Sequence, residues 1–218
     1  SLESSGSPFL PSYRRYAWPA DGLVGVVALA QHDRLFEPRY AEVLRRWRDA
    51  IGERRDPETG LLGHAARLPD GAPMGGVRGS SQALMLRFMA EIDPALGREM
   101  YDSFRERFVT TRLGLAVVTE YPAGTTGEPD IDSGPLPLGV SLPGTVLAMG
   151  TARVYGDDDL ARDLSQTVEA FGGPLVWRGR RMYAFGALPV GDAFLAWART
   201  APHGDSFRLG TEAGAAGP

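Results

Sequence analysis

Residues 80–108, which read SSQALMLRFMAEIDPALGREMYDSFRERF, contain the pattern from which the fold is predicted. Ser80 and Ser81 precede an apolar run and are predicted to cap a helix. Asp93-Pro94 is predicted to begin a second helix at once, because proline is favoured in the first turn of a helix. The turn between the two helices is so short that they are expected to be antiparallel neighbours.

The same unit recurs along the chain. Short helix–helix junctions fall at Glu37-Pro38, Asp93-Pro94 and Asp157-Asp158. Each junction joins an apolar helix rich in small residues to a more polar, amphipathic helix, and a long return loop follows. Repeated αα-hairpins of this kind predict an all-α fold, a partial or open (α/α) toroid with seven helices. The alternation around Gly179 predicts a small β-hairpin near residues 175–185.

The composition is that of a globular chain and excludes several functional classes. The chain has 218 residues, of which 27 are acidic and 23 basic, so it offers no basic surface typical of nucleic-acid binding. Its longest apolar run, residues 23–30, is too short to span a bilayer. Because there is no cysteine, disulfides and thiol chemistry are excluded. We expect a single domain over residues 13–202, with a linker-like segment at 1–12 and a flexible tail at 203–218.

Two stretches carry a resemblance to a known superfamily. Residues 16–21, YAWPAD, lead into the first inner helix, and residues 56–62, DPETGLL, follow the first hairpin. These stretches resemble the six-hairpin (α/α) toroid superfamily, which includes many glycosidases and the linalool dehydratase/isomerase-like proteins. The chain departs from that pattern, because seven helices are predicted where a closed ring has twelve. It also lacks the cysteine on which the chemistry of the linalool enzymes depends.

In a toroid the inner helices run parallel, so the loops that lead into them wall one end of a central cavity. The return loop over residues 120–135 is the longest and most acidic of these loops. The candidate acid–base residues are Asp132, Asp21, Glu120 and Asp130, and the candidate substrate-binding residues are Arg78, Trp18, Tyr121, Tyr16 and His64.

The candidate carboxylates each have a structural alternative. Asp21 suits the N-cap of the first helix, which stabilises a helix by about 1 kcal/mol. Asp132 suits a helix cap with a salt-bridge partner, and Glu120 suits a surface turn. Asp130 and Asp132 share a face if the segment is extended, so the pair suits either a cation or divided acid and base roles. The spacing does not fit a calcium loop, and we predict no metal.

The other candidates also have alternatives. Arg78 is expected either to clamp a ligand oxygen at a helix N-terminus or to form an ion pair with Asp132 or Asp21. Trp18 and Tyr16 suit either a stacking platform or the core. His64 suits either a catalytic base or an ordinary loop residue.

The leading hypothesis is a carbohydrate-active enzyme, a glycoside hydrolase or lyase, in which Glu120 or Asp132 protonates the departing oxygen. Asp21 or Asp130 then activates water. One alternative is a non-enzymatic binding or assembly domain, the extracytoplasmic part of a membrane-associated protein. Another is a terpenoid-type lyase or cyclase, which requires an apolar, aromatic-lined cavity. No cofactor motif is present, and the predicted partners are a small-molecule or carbohydrate substrate and a further chain or segment that completes the ring.

Overall fold

The computed structural model describes residue 2 and residues 5–130, 133–183 and 189–203. Of these residues 51% are helical, and they form seven α-helices and several short antiparallel strands. The prediction of a helix-rich fold with small β-hairpins is therefore confirmed, whereas the toroid stays a prediction. The chain forms two compact units, Ser1–Arg107 and Phe108–Pro218, and each is described by itself.

The first unit contains four helices and one small antiparallel sheet. The helices are α1 Pro19–Leu35, α2 Ala41–Gly52, α3 Gly79–Ile92 and α4 Pro94–Phe108, and the strands are β1 Tyr16–Ala17, β2 Ala65–Arg67 and β3 Pro73–Met74. The α3–α4 hairpin agrees with the sequence pattern, and Pro94 begins α4 as predicted. Pro38 was predicted to begin α2, but that helix starts at Ala41, with Tyr40 as its N-cap.

Helices α1 and α3 pack on each other and form the centre of the first unit. The buried side chains include Leu23 and Val26 of α1 and Met85 and Leu86 of α3. Both helices are apolar around much of their circumference, as predicted for inner helices, whereas α2 is amphipathic. The inner and outer character of the helices therefore follows directly from the hydrophobic pattern.

The N-terminal segment also contributes to the core of the first unit. Phe9 is only 3% exposed, and the side chain of Trp47 in α2 is equally buried. The indole Nε1–H of Trp47 donates a hydrogen bond to the carbonyl oxygen of Pro8 at 3.0 Å. A buried indole N–H requires such a partner, so this contact fixes residues 8 and 9 against α2.

A buried ion pair within α3 receives hydrogen bonds from α1. Arg87 Nη1 donates to Glu91 Oε1 at 2.6 Å, and both residues are largely shielded from solvent. Gln31 Nε2 donates to the other carboxylate oxygen of Glu91 at 2.5 Å, and an Arg34 Nη2–H donates to the Glu91 carbonyl oxygen. A buried carboxylate is tolerated when it is paired and hydrogen-bonded, and here α1 and α3 together supply partners for both carboxylate oxygens of Glu91.

The small sheet determines where α1 and α3 begin. The strand order is β1-β2-β3, with Tyr16 paired to Arg67 and Ala65 paired to Met74. Because β1 leads directly into α1, and β3 leads into α3 through residues 75–78, one sheet holds the N-terminal ends of both inner helices.

The second unit contains a β-hairpin, three helices and a second hairpin. The elements are β4 Val109–Arg112, β5 Leu115–Val118, a 3₁₀ helix Pro137–Gly139, α5 Leu142–Val154, α6 Asp158–Phe171, β6 Leu175–Trp177, β7 Arg180–Met182 and α7 Pro189–Arg199. The side chain of Ser141 accepts a hydrogen bond from Gly144 N and caps α5, and Asp157 caps α6 in the same way through Leu160 N. The predicted junction at Asp157-Asp158 is confirmed as the start of α6.

Helix α5 packs against α6 and α7 and forms the centre of the second unit. At the crossing with α7, a Cβ atom placed on Gly150 would lie 2.9 Å from Cα of Ala198. Only glycine permits this approach of the two backbones. The predicted β-hairpin near 175–185 is confirmed as β6–β7, and its turn residues Arg178 and Gly179 have φ values of 49° and 74°. None of the described helices combines the length and the apolar character needed to cross a bilayer.

Candidate functional site

Trp18, one of the predicted substrate-binding residues, is the N-cap of α1. Its backbone is extended, and its backbone N–H donates a hydrogen bond to Ser12 Oγ at 2.9 Å. Its half-buried indole lies with its ring centroid 5.7 Å from that of Tyr13, and Tyr13 lies 5.0 Å from Tyr16. Two predicted residues, Trp18 and Tyr16, therefore belong to one aromatic group, which solvent reaches because Tyr13 is 50% exposed.

His64, a third predicted residue, contacts this aromatic group and the first turn of α3. Its ring centroid lies 5.4 Å from that of Trp18, with the two planes 65° apart. Its Nδ1 lies 2.6 Å from Oγ of Ser81. The backbone N–H of His64 donates to the carbonyl oxygen of Gly76, which anchors the residue to the segment before α3. We define the aromatic–histidine cluster as Tyr13, Tyr16, Trp18, His64 and Ser81.

In the aromatic–histidine cluster, the imidazole of His64, which can exchange protons, lies beside aromatic rings that suit an apolar ligand. The imidazole titrates near neutral pH in most surroundings, and the contact with Ser81 restrains its ring. A hydroxyl either donates to or accepts from an imidazole nitrogen, so the contact is compatible with both neutral tautomers and with the protonated ring. The faces of Trp18 and Tyr16 offer hydrophobic area and a negative ring face to a ligand.

Arg78 precedes the cluster on the same helix as Ser81. It is half-buried and is the N-cap of α3, with an extended backbone and no hydrogen bond from its side chain to the helix end. Its carbonyl oxygen accepts from Gln82 N at 2.9 Å, so the helix has already begun at Gly79. The prediction that Ser80 and Ser81 cap this helix was therefore wrong, and both lie within its first turn. Arg78 stays a predicted ligand-binding residue.

Asp21 lies in the first turn of α1, and its predicted role as the N-cap was wrong. Pro19 occupies the first positions of the helix, so the N-cap is Trp18, three residues earlier than Asp21. The carboxylate of Asp21 is exposed and complements the positive end of the helix dipole. The role of Asp21 as a general base stays a prediction.

Glu120 in the second unit is completely buried. Its backbone N–H donates to the carbonyl oxygen of Gly139 at 3.1 Å, and the preceding Thr119 bridges to Val140. The segment that leaves β5 is thus attached to the chain that leads into α5. Burial excludes the surface turn that was the structural alternative for Glu120, because no part of the residue is exposed to solvent. A buried carboxyl group is expensive unless it is paired or protonated, and such groups are common at functional sites.

Tyr121 and Asp130 shape the return loop that follows Glu120. The Tyr121 hydroxyl donates to the carbonyl oxygen of Glu128 at 2.7 Å, and its ring lies so close to Gly127 that a Cβ there would be 2.2 Å from Cζ. Asp130 Oδ1 accepts a hydrogen bond from Ser133 N at 2.8 Å. Asp132, the first candidate from the sequence, lies outside the described residues. Catalytic roles for Tyr121, Asp130 and Asp132 stay predictions.

Sequence reasoning missed one charged cluster in the second unit. Tyr183 is buried, its hydroxyl donates to Glu169 Oε1 at 2.5 Å, and Arg199 Nη2 donates to the same carboxylate at 2.5 Å. The hydrogen bond from Tyr183, with the nearby charges of Arg181 and Arg199, lowers the pKa of Glu169 below its usual value. Burial and the bond to Glu169 raise the pKa of Tyr183. No local motif indicates this cluster, because its members lie in separate elements. Glu169 lies in α6, Arg181 and Tyr183 lie in and just after β7, and Arg199 lies in α7.

A cavity of about 760 Å³ lies beside this cluster, among α5, α6 and α7. Its charged lining is Arg153, Asp158, Arg162, Glu169 and Arg199. Among the described residues, none of those predicted from the sequence lines it. The described lining follows one face of α6 and is half charged, with no aromatic side chain, so it does not have the aromatic lining that a terpenoid site requires.

Metal-ligand side chains are dispersed in the part of the chain that the structure describes. Among residues 5–130, 133–183 and 189–203, no three His, Asp or Glu side chains are grouped as ligands of one ion would be. That no metal or cofactor is needed stays a prediction.

Comparison with known protein families identifies a match. A family model described as linalool dehydratase/isomerase matches residues 22–186, which is more than half of the chain. The matched range includes His64, Ser81 and Glu120, whereas Tyr16 and Trp18 precede it. A comparison with curated proteins finds no match for the chain. Membership of the wider six-hairpin superfamily stays a prediction.

Proposed function

Because the chain belongs to the linalool dehydratase/isomerase family, an enzyme family, we propose that it removes or relocates the hydroxyl group of a small terpenoid-type alcohol. The terpenoid-type lyase, one of the alternatives from the sequence, thus becomes the leading hypothesis. The structural observation that carries it is the contact of His64 with both Ser81 and Trp18.

Loss of water from an alcohol has two chemical requirements. A proton must reach the departing oxygen, and a base must remove a proton from the neighbouring carbon as the double bond forms. The C–O electron pair leaves with the oxygen, and the C–H electron pair becomes the new π bond. In relocation of the hydroxyl no C–H bond breaks: after the C–O bond is lost, water adds at the other end of the allylic system and gives up a proton to the base.

In this proposal His64 transfers the proton. A half-buried imidazole held at Nδ1 by Ser81 presents a defined orientation, and imidazole acts as either acid or base near neutral pH. The rings of Trp18 and Tyr16 accommodate the hydrocarbon and stabilise positive charge that develops on carbon as the oxygen departs. Because the chain lacks cysteine, proton transfer relies on imidazole, carboxyl and phenol groups.

Glu120, in the second unit, is proposed as an acid–base residue independently of His64, because complete burial of a carboxyl group is typical of functional sites. Asp21, Asp130 and Asp132 are secondary proposals: Asp21 is exposed, and Asp130 Oδ1 accepts a hydrogen bond from Ser133 N. The carbohydrate hypothesis required two of these carboxylates as a pair, and neither the family match nor the described contacts support it.

Parallel substrate screens test the class of reaction. The purified protein is incubated with linalool and shorter allylic alcohols, and products are separated by gas chromatography; chromogenic glycosides are tested with the same sample. We expect dehydrated or isomerised products from the alcohols and no release of the chromophore. Glycoside cleavage that is abolished in Glu120→Gln, with no conversion of the alcohols, would contradict the proposal and restore the carbohydrate hypothesis.

A further inference from the structure

The β6–β7 hairpin of the second unit presents large apolar side chains to solvent. Val176 is 67% exposed and Trp177 is 60% exposed, and Leu175 is also exposed. Phe171, just before the hairpin, is exposed as well. Isolated apolar residues on a surface need no explanation, but four within seven positions of one short segment do.

The hairpin register places apolar and cationic groups on one face. Trp177 pairs with Arg180, and Leu175 pairs with Met182, so these four side chains lie on the same face of the ribbon. The type I′-like turn at residues 178–179 keeps the two strands twisted together. The face therefore carries an indole and a guanidinium side by side near the tip of the hairpin.

The charge of this segment is entirely positive. Residues 171–183 include Arg178, Arg180 and Arg181 and no acidic residue, although the whole chain has a net charge of −4. Arg181 is paired with Glu169 at 2.9 Å, and the Arg178 guanidinium lies 4.6 Å from the ring centroid of Trp177. Within the described part of the chain, Arg180 is exposed and forms no ion pair.

We propose that the tip of the β6–β7 hairpin binds the surface of a membrane that contains anionic lipids. Tryptophan is favoured at the boundary between headgroups and hydrocarbon, where its ring is partly apolar and its N–H stays hydrated. Arginine side chains extend along such a boundary and bind lipid phosphates, which attract basic segments. The hairpin thus supplies an apolar anchor and unneutralised positive charge at one place.

A second copy of the chain fits this surface less well. In a dimer with two-fold symmetry, each copy uses the same surface for the contact. The arginines at the tips of the two hairpins would therefore lie opposite one another and repel. The hairpin is also small, with three residues in each strand, whereas a stable interface uses about 20–30 residues on each side. Lipid binding needs neither a matching patch nor a large area.

Co-sedimentation with vesicles tests this proposal on the intact protein. We expect binding to vesicles of mixed phosphatidylcholine and phosphatidylglycerol, little binding to phosphatidylcholine alone, and weaker binding at high salt. Because the chain has four tryptophans, the emission should shift to the blue when the mixed vesicles are added to the wild type and should not shift in Trp177→Ser. The double variant R178Q/R180Q should weaken binding roughly 25-fold, about fivefold for each arginine, and Trp177→Ser should also weaken it.

A matched control separates the hairpin from the overall charge. Arg39 and Arg46 are exposed arginines on another part of the chain, so R39Q/R46Q makes the same change in net charge. We expect this control to bind vesicles as the wild type does. Equal binding by all variants, equal binding to both vesicle types, or no binding would overturn the proposal. So would a dimer in solution that Trp177→Ser converts to a monomer, because the hairpin would then contact a second copy.

Discussion

His64 depends on Ser81 for the orientation of its ring, and this dependence has a measurable consequence. Replacement of Ser81 by alanine removes the 2.6 Å contact with Nδ1. One lost hydrogen bond corresponds to about 0.5–1.5 kcal/mol, so we expect kcat for the alcohol reaction to fall up to about tenfold. Ser81→Thr should restore most of the activity, because it retains the hydroxyl. The pH dependence of kcat/KM distinguishes a Ser81 that orients His64 from one that only stabilises the fold. If Ser81 is only structural, the midpoints of the pH profile should be the same in Ser81→Ala as in the wild type.

Glu169 makes the stability of the second unit sensitive to acid. The hydrogen bond from Tyr183 lowers the pKa of Glu169 in the folded protein below its ordinary value of 4.5. Its contribution to stability is therefore present above pH 4.5 and is lost as the pH falls through the lower, folded-state pKa. In Glu169→Gln this carboxylate is absent. We therefore expect the Tm of the variant to fall less steeply than that of the wild type as the pH is lowered below 4.5. Parallel Tm profiles for the two proteins would contradict this assignment.

The buried pair of Arg87 and Glu91 predicts an asymmetric response to substitution. Replacement of Glu91 by alanine removes the carboxylate from a buried guanidinium, so we expect a loss of about 3–5 kcal/mol in the free energy of unfolding. Replacement of both residues by methionine should cost much less, because no buried charge remains. Urea denaturation measures the free energy of unfolding of both variants. The exposed pair of Arg45 and Glu42 supplies the control, and Glu42→Ala should cost less than about 1 kcal/mol. A Glu91→Ala loss no larger than this would show that the pair is not effectively buried.

At the scale of elements, two glycines in helices should respond in opposite directions. Gly150 lies where α5 crosses α7, and a Cβ there would meet Cα of Ala198, so we expect Gly150→Ala to destabilise the protein by about 1–3 kcal/mol. Gly25 lies in α1 with nothing within 4 Å of its Cβ position, so Gly25→Ala should stabilise by about 0.5–1 kcal/mol. Thermal or urea denaturation checks both. A neutral Gly150→Ala variant would mean that α5 and α7 can separate at little cost.

The hydrophobic pattern predicted the helices better than it predicted their first residues. The α3–α4 hairpin, the cap of α6 at Asp157 and the β6–β7 hairpin follow from local sequence. The N-caps of α1 and α3 do not, because Trp18 and Arg78 are not capping residue types. Both precede helices whose starts are held by the sheet, and strand pairing between residues fifty positions apart has no local signal.

The candidate site could be predicted only in part for the same reason. Trp18, Tyr16 and His64 were identified from their positions before helices or in loops, and the structure brings them into one cluster. Their partner Ser81 had been assigned to a helix cap, and its contact with His64 depends on how the strands place residue 64. The cluster around Tyr183 joins three separate elements, so no periodicity or motif could have indicated it.

For the whole molecule, the family match changes which chemistry the helical scaffold is expected to support. A helical architecture alone is compatible with hydrolases, lyases and binding proteins. The hypothesis of a carbohydrate substrate rested on the resemblance to a superfamily that includes glycosidases and on the carboxylates expected at one end of the cavity. Membership of the linalool dehydratase/isomerase family directs attention to apolar alcohols and therefore to the aromatic–histidine cluster. Glu120, which lies in the second unit, stays a separate acid–base proposal.

The most direct test of the proposed function is the steady-state conversion of linalool by the wild type, His64→Ala and His203→Ala, followed by gas chromatography. His203 is a surface histidine beside Asp158 and serves as the matched control. If His64 transfers the proton, kcat/KM should fall by about 10²–10⁴ in His64→Ala, whereas His203→Ala should keep the wild-type value and all three proteins should share similar Tm values. Wild-type conversion that persists unchanged in His64→Ala would contradict the assignment of the chemistry to the aromatic–histidine cluster.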